Sequence, residues 1–144
     1  MADSEPTVLI ISTPCTGMKG FAALNWSLNF EAWQRSVQLS RPLAVMGAKA
    51  AEVQMAGRRH FIAEHPRGSE MWRMPAWLSL AERWPIAWVV IDQCAVGLRG
   101  PRAGSFIQKP TEISASDEAH VARLRGRRCP GDHVHADLAA NVAG

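Results

Sequence analysis

Tyrosine is absent from this chain, and cysteine is scarce: three residues in 144, at positions 15, 94 and 129. An odd, widely spaced set excludes the dense disulfide framework of a small secreted domain and fits a reducing compartment. No apolar run approaches the roughly 18–20 residues that a membrane helix needs, so no membrane partner is expected. The opening Met1-Ala2-Asp3-Ser4-Glu5-Pro6 has no basic stretch leading into an apolar one. The expectation is therefore no secretory signal and an intracellular protein, nuclear or cytoplasmic. Internal repeats and low-complexity blocks are also missing, which excludes solenoids and polar tails of biased composition. Excess charge of one sign is slight, with 16 basic and 13 acidic residues giving +3. What is present is ordinary globular material: 47% hydrophobic and 20% charged, too apolar for wholesale disorder. The six tryptophans assign no function by themselves.

The patterning predicts an α/β chain. Thr7–Ser12 is β-branched, apolar and unalternating, which suits a strand buried on both faces of a parallel sheet. A turn follows at Thr13-Pro14-Cys15-Thr16-Gly17. Residues 20–39 give no clear period and read as loop plus a short helix. Ser40 to Ala56 reads as a helix, with Ser40 as N-cap, Pro42 in the first turn and Leu43, Met46, Ala50 and Val53 as the buried face. Gly57 ends it. His60–Glu64 reads as a second strand. Ser69 caps a further helical stretch, and Pro75 begins a fresh turn running to Arg83. Ala87–Asp92 reads as a third strand. Ser105–Ser114 reads as a fourth, with Pro110 arguing for an edge or a bulge. Ser116–Leu124 reads as a helix, and an irregular tail follows from Gly126. This order implies a partial Rossmann-like, mostly parallel sheet of about four strands with helices, ending in a hairpin and an irregular tail. The expected division is an α/β domain over 1–125 and a Cys/His-containing tail over 126–144.

Ligands on such sheets sit beyond the carboxyl ends of the strands. Cys15 and Glu64 fall there. The strand leading into Pro14-Cys15-Thr16, and a second ending Glu64-His65-Pro66, resemble the cytosine-5 DNA methyltransferase family. In that family a Pro-Cys loop supplies a nucleophile, and a glutamate after the next strand holds the cytosine. The likeness is greater to methyltransferase-like segments of retrotransposon polyproteins in algae and other protists. It runs through Leu24-Asn25, Gln54 with Gly57-Arg58 and Phe61, Trp72, and Asp92-Gln93-Cys94 with Gly97-Leu98. It continues in Lys109-Pro110-Thr111 and ends on Cys129, Gly131, His133 and His135. The resemblance implies that the Cys15 thiolate adds to carbon 6 of the ring and that Glu64 steadies its N3/N4 edge. The base would first leave the stack.

The chain also departs from the family. Thr13 stands where the family has proline, and Thr16 where cellular enzymes often have glutamine. His65 replaces the asparagine of Glu-Asn-Val, and Gln-x-Arg-x-Arg is absent. No Gly-x-Gly loop follows a strand, so S-adenosylmethionine is expected only if an N-terminal half is supplied. The resemblance thus implies a degenerate methyltransferase-like domain without methyl transfer of its own.

Two further groups stand out. Cys129, His133 and His135 form C-x3-H-x-H, and Cys94 can complete a Cys2His2 set if the tail folds back on the third strand. Zinc favours such ligands. Arg99, Arg102, Arg123, Arg125, Arg127 and Arg128 make the last third locally basic, a candidate surface for DNA or RNA. His60, His65 and His120 show no comparable grouping, and His120 reads as a solvent-facing helix residue. The alternatives to the degenerate methyltransferase are a nucleic-acid-binding or a zinc-stabilised interaction module. Self-association through an exposed edge of the first strand is a further expectation.

Overall fold

The computed structural model describes residues 5–18, 26–27 and 29–136. Strand β1 (Val8–Ser12) leads to a long helix, α1 (Phe30–Ala56), and then to β2 (His60–Pro66). A 3-10 turn at Glu70–Arg73 precedes helix α2 (Pro75–Arg83) and strand β3 (Ala87–Asp92). A second 3-10 turn, Gln93–Val96, a long connection and β4 (Pro110–Ala115) follow.

The four strands form one sheet in the order β1-β2-β4-β3. β1 and β2 are parallel, with Ser12 opposite Glu64. β4 is antiparallel to both β2 and β3. The sheet is therefore mixed, not the mostly parallel Rossmann-like sheet expected from the strand–helix order. The cause is the insertion of β4 between β2 and β3. An apolar, β-branched run announces a strand without announcing its partner. β1, β2 and β3 still point the same way, so their carboxyl ends share one rim, and β4 enters the sheet from that rim.

β4 is central, although its sequence reads as an edge. Pro110 is its first residue, where no ladder N–H is needed. Thr111 and Ser114 are fully buried, so polarity here does not mark an edge. The edge strands are β1 and β3, and in β1 Val8 and Ile10 are exposed instead of being covered on both faces.

Helix α1 starts ten residues before the expected N-cap. Asn29 is the cap, its Oδ1 accepting from the Ala32 amide at 3.0 Å. Ser40 is buried in the helix interior and Pro42 lies inside it. The buried face also differs from the expected one. Ser40, Ala44, Gly47, Ala48, Ala51 and Gln54 face inward, whereas Leu43, Met46 and Val53 are exposed. Small residues let the helix lie close on the sheet: a Cβ at Gly47 would stand 3.0 Å from Ile11 Cγ2. Gln54 then ties the layers, its Nε2 donating to the carbonyls of both Pro6 and His60 at 2.9 Å. The expected final helix is instead a pair of 3-10 turns, Glu118–His120 and Ala122–Leu124. His120 is half-buried there against the His60 ring at 4.7 Å.

One core lies between the sheet and the helices. Ile11, Phe61, Ala63, Met71, Trp72, Trp77 and Leu80 fill it. Trp77 Nε1 donates to the Ala44 carbonyl at 3.0 Å, satisfying the one polar atom of a buried indole. On the opposite face Val89, Ile91, Ile113 and Ala115 pack under Val121 and Leu124.

Candidate metal centre and the adjoining sheet rim

Cys94 sits in the 3-10 turn that follows β3, buried to 3% exposure. Gly97 closes that turn at φ 95°, a left-handed conformation that favours glycine. The segment carrying Cys129 is fastened to the same place. Asp92 N donates to the Arg127 carbonyl at 2.9 Å. Asp92 Oδ2 accepts from Arg128 Nε at 2.8 Å and from the Cys129 amide at 2.9 Å. Burial opposes the charge on Asp92, but these donors hold its carboxyl below the usual range. A third connection comes from the loop before β4. Phe106 N donates to Val134 O at 2.9 Å, and Ala136 N to Phe106 O at 2.7 Å. The two histidines on either side of Val134 are thereby held against Phe106, whose ring lies 4.4 Å from that of His133.

The result is a convergence of four donors. One atom each from Cys94, Cys129, His133 and His135 lies within 4.8 Å of all the others. Cys129 Sγ is 3.7 Å from His133 Nε2 and 3.3 Å from His135 Nε2, and the two Nε2 atoms are 3.1 Å apart. This set can hold a metal ion. Asp132 Oδ1 sits 2.9 Å from His133 Nδ1, so a proton on Nδ1 leaves the Nε2 lone pair facing inward. Burial, with the neighbouring Cys129 thiol, pushes the Cys94 thiol up.

The same rim carries the second candidate group. The Pro14–Cys15 loop leaves β1 just beyond Ser12, and Glu64 lies opposite Ser12 on β2. Ser12 Oγ donates to Glu64 Oε2 at 3.1 Å. Lys109 Nζ stands 3.4 Å and Gln93 Nε2 3.5 Å from Glu64 Oε1. Gln93 also donates to Thr111 Oγ1 at 2.9 Å. Cys15 is half-buried, and among the described residues its thiol joins none of these contacts. His65, next to Glu64, faces the other side of the sheet and is fully buried. Leu24 and Asn25, quoted in the resemblance, lie outside the described residues.

The basic residues divide. Arg125 pairs with Glu118, and Arg128 with Asp92. Arg99 lies over the Phe106 ring at 4.2 Å. Arg102, Arg123 and Arg127 are exposed and make no ion pair with described residues. Arg127 and Arg128 line a cleft of about 460 Å³ that reaches Cys94 and His133.

The residue-by-residue reading of the sequence singled out by type the four side chains that can hold a metal. It missed Ser12 and Asp132, gave Gln93 a place only within the resemblance, and counted Lys109 only as one of the basic residues and within the resemblance. The available signal for Asp132 was its place beside His133, where a carboxylate can fix a tautomer. Compared with protein-family models, curated proteins and solved structures, the chain matches none.

Proposed function

We propose that this chain is a zinc-stabilised nucleic-acid interaction module. The convergence of Cys94, Cys129, His133 and His135 carries the reading. With Zn–S near 2.3 Å and Zn–N near 2.0–2.1 Å, tetrahedral zinc separates two nitrogens by about 3.3 Å and a sulfur from a nitrogen by about 3.6 Å. The separations of 3.1, 3.3 and 3.7 Å match the Cys129–His133–His135 edges of that cage, and Cys94 lies within 4.8 Å of all three. Two thiolates and two imidazoles suit zinc in a closed, structural site. The ion would fasten a segment without regular secondary structure to the end of β3 and to Phe106. It would thereby fix Arg127 and Arg128 beside the cleft.

Elemental analysis of the purified chain tests the metal: one zinc per chain is expected, lost together with thermal stability in Cys129→Ser and His135→Ala. Folded, equally stable metal-free protein would remove the reading. The nucleic-acid arm is read from salt dependence. Affinity for a DNA or RNA oligonucleotide should fall steeply with salt, and each of Arg102→Ala and Arg127→Ala should reduce the log–log slope by about 1. Absence of binding at low salt would sink this arm alone.

A second reading is favoured by the parallel pairing of Ser12 with Glu64, which puts Glu64 at the rim from which the Cys15 loop springs. This is the degenerate cytosine-5 methyltransferase-like domain, with Cys15 as former nucleophile and Glu64 as base-holding carboxyl. The Ser12, Lys109 and Gln93 contacts keep that carboxyl oriented. It predicts no methyl transfer from labelled S-adenosylmethionine to DNA by the chain alone. It also predicts that Glu64→Gln weakens binding to an oligonucleotide with an unpaired cytosine more than to its abasic counterpart. Transfer by the isolated chain, or equal losses on the two oligonucleotides, would contradict it.

A further inference from the structure

Among the described residues the outer side of β1 is unpaired, and with the outer flank of α1 it forms one continuous surface. His60 N donates to Thr7 O. Backbone groups alternate along a strand, so residues 7, 9 and 11 turn toward β2, while Val8, Ile10 and Ser12 turn their N–H and C=O groups outward. Val8–Ser12 holds none of the lysines, prolines or bulges that usually protect an edge. Ile10, at the middle of β1, has its side chain 73% exposed.

Above this edge runs an apolar stripe of α1: Leu39, Leu43, Met46, Ala50 and Val53. Its steps of four, three, four and three residues are those of a helix seam. Leu39, Met46 and Val53 are 60–69% exposed. The stripe faces the open edge because the opposite flank of α1 is taken. There Glu52 pairs with Arg83 of α2, and Arg41 with Glu70.

We infer that this surface pairs with a second copy of the same chain about a two-fold axis through Ile10. Three observations favour a copy as occupant. First, the outward-turned residue is the central one of β1. Antiparallel pairing of two β1 strands therefore lets Ile10 exchange both hydrogen bonds with the partner's Ile10, with Val8 opposite the partner's Ser12. Second, the Gly47–Ile11 contact sets the middle of the stripe, Met46, near the level of that axis. Antiparallel α1 helices then meet Leu39 to Val53 and Met46 to Met46, so the seam is complementary to itself.

Third, the spacing closes in both layers. The Gln54 bonds to Pro6 and His60 set α1 above the interval between β1 and β2. With strands about 4.8 Å apart, continuing the sheet brings the two helices to about 10 Å, within the usual range of helix packing. The stripe spans about 20 Å of helix, and the helix and sheet layers together are about 20 Å deep. Each copy then covers roughly 400 Å², and the pair about 800 Å², the size of a weak, concentration-dependent dimer.

Sedimentation equilibrium of the full chain tests this, with folding checked by circular dichroism. The 15.8 kDa chain should sediment at twice its mass at about 100 µM. Ile10→Pro removes an outward N–H that the chain's own sheet does not use. Met46→Glu sets two charges face to face at the axis. Both variants should be folded monomers, whereas Leu78→Glu, on the exposed side of α2, should still dimerise. A monomeric wild type, a dimer that survives either of the first two substitutions, or a dimer lost equally in Leu78→Glu would each overturn the inference.

Discussion

His65 is the residue whose chemistry is most constrained. Its imidazole is fully buried beside the edge of Trp72, and neither ring nitrogen makes a well-formed hydrogen bond among the described residues. Burial pushes its pKa below the ordinary 6.5; Glu64 and the carbonyls of Pro14 and Thr13 only partly oppose this. The unfolded chain therefore takes up a proton that the folded chain refuses. Stability contributed by neutral His65 is complete above the unfolded value and falls as pH drops below it, toward the lowered folded value. Urea melts between pH 7.5 and 5.5 should show wild type losing up to about 1.4 kcal/mol per pH unit more than His65→Gln. Equal slopes in the two proteins would contradict this account. In the sequence His65 has a place in a motif but no environment, because its burial is set by Trp72 and by the Thr13–Pro14 backbone, which come from other parts of the chain. The candidate metal ligands were more legible, since Cys and His at short spacing carry their chemistry in their type.

Among the elements, α1 shows where patterning misleads. The run from Phe30 to Leu39 mixes tryptophan, charge and polar residues without a period, so the first ten residues of the helix had no signal beyond Asn29 followed by Phe30 and Glu31. The largest apolar residues, Leu43, Met46 and Val53, then pointed to the wrong face. Contact with the sheet is made by Gly47 and the alanines, because close approach of helix to strand selects for small side chains. The start of the helix is open to test. Asn29→Ala removes the side-chain acceptor for the Ala32 amide and should cost about 1 kcal/mol in a denaturant melt. No loss would place the true start elsewhere. β1, β2 and β3 were legible as strands because each is a short β-branched or apolar run. The place of β4 was not, since Pro110, Glu112 and Ser114 resemble an edge and only pairing on both sides reveals the centre of a sheet.

The whole molecule is organised around one rim. Three strands end there and β4 begins there, so Cys94, Glu64, Gln93 and Lys109 gather from distant parts of the chain. Cys129, His133 and His135 are then drawn to it by Asp92 and Phe106. That gathering is a property of the mixed sheet and could not be read from strand order alone. At the opposite side of the sheet the β1 edge, unpaired among the described residues, leaves a separate surface for association, so metal loss and dimer loss should be independent. The central claim is the ion at the rim, and X-ray absorption at the zinc edge of the purified, full chain tests it most directly. The predicted spectrum has two sulfurs at about 2.3 Å and two nitrogens at about 2.0–2.1 Å. A shell of nitrogen and oxygen without sulfur, or no bound zinc, would contradict it.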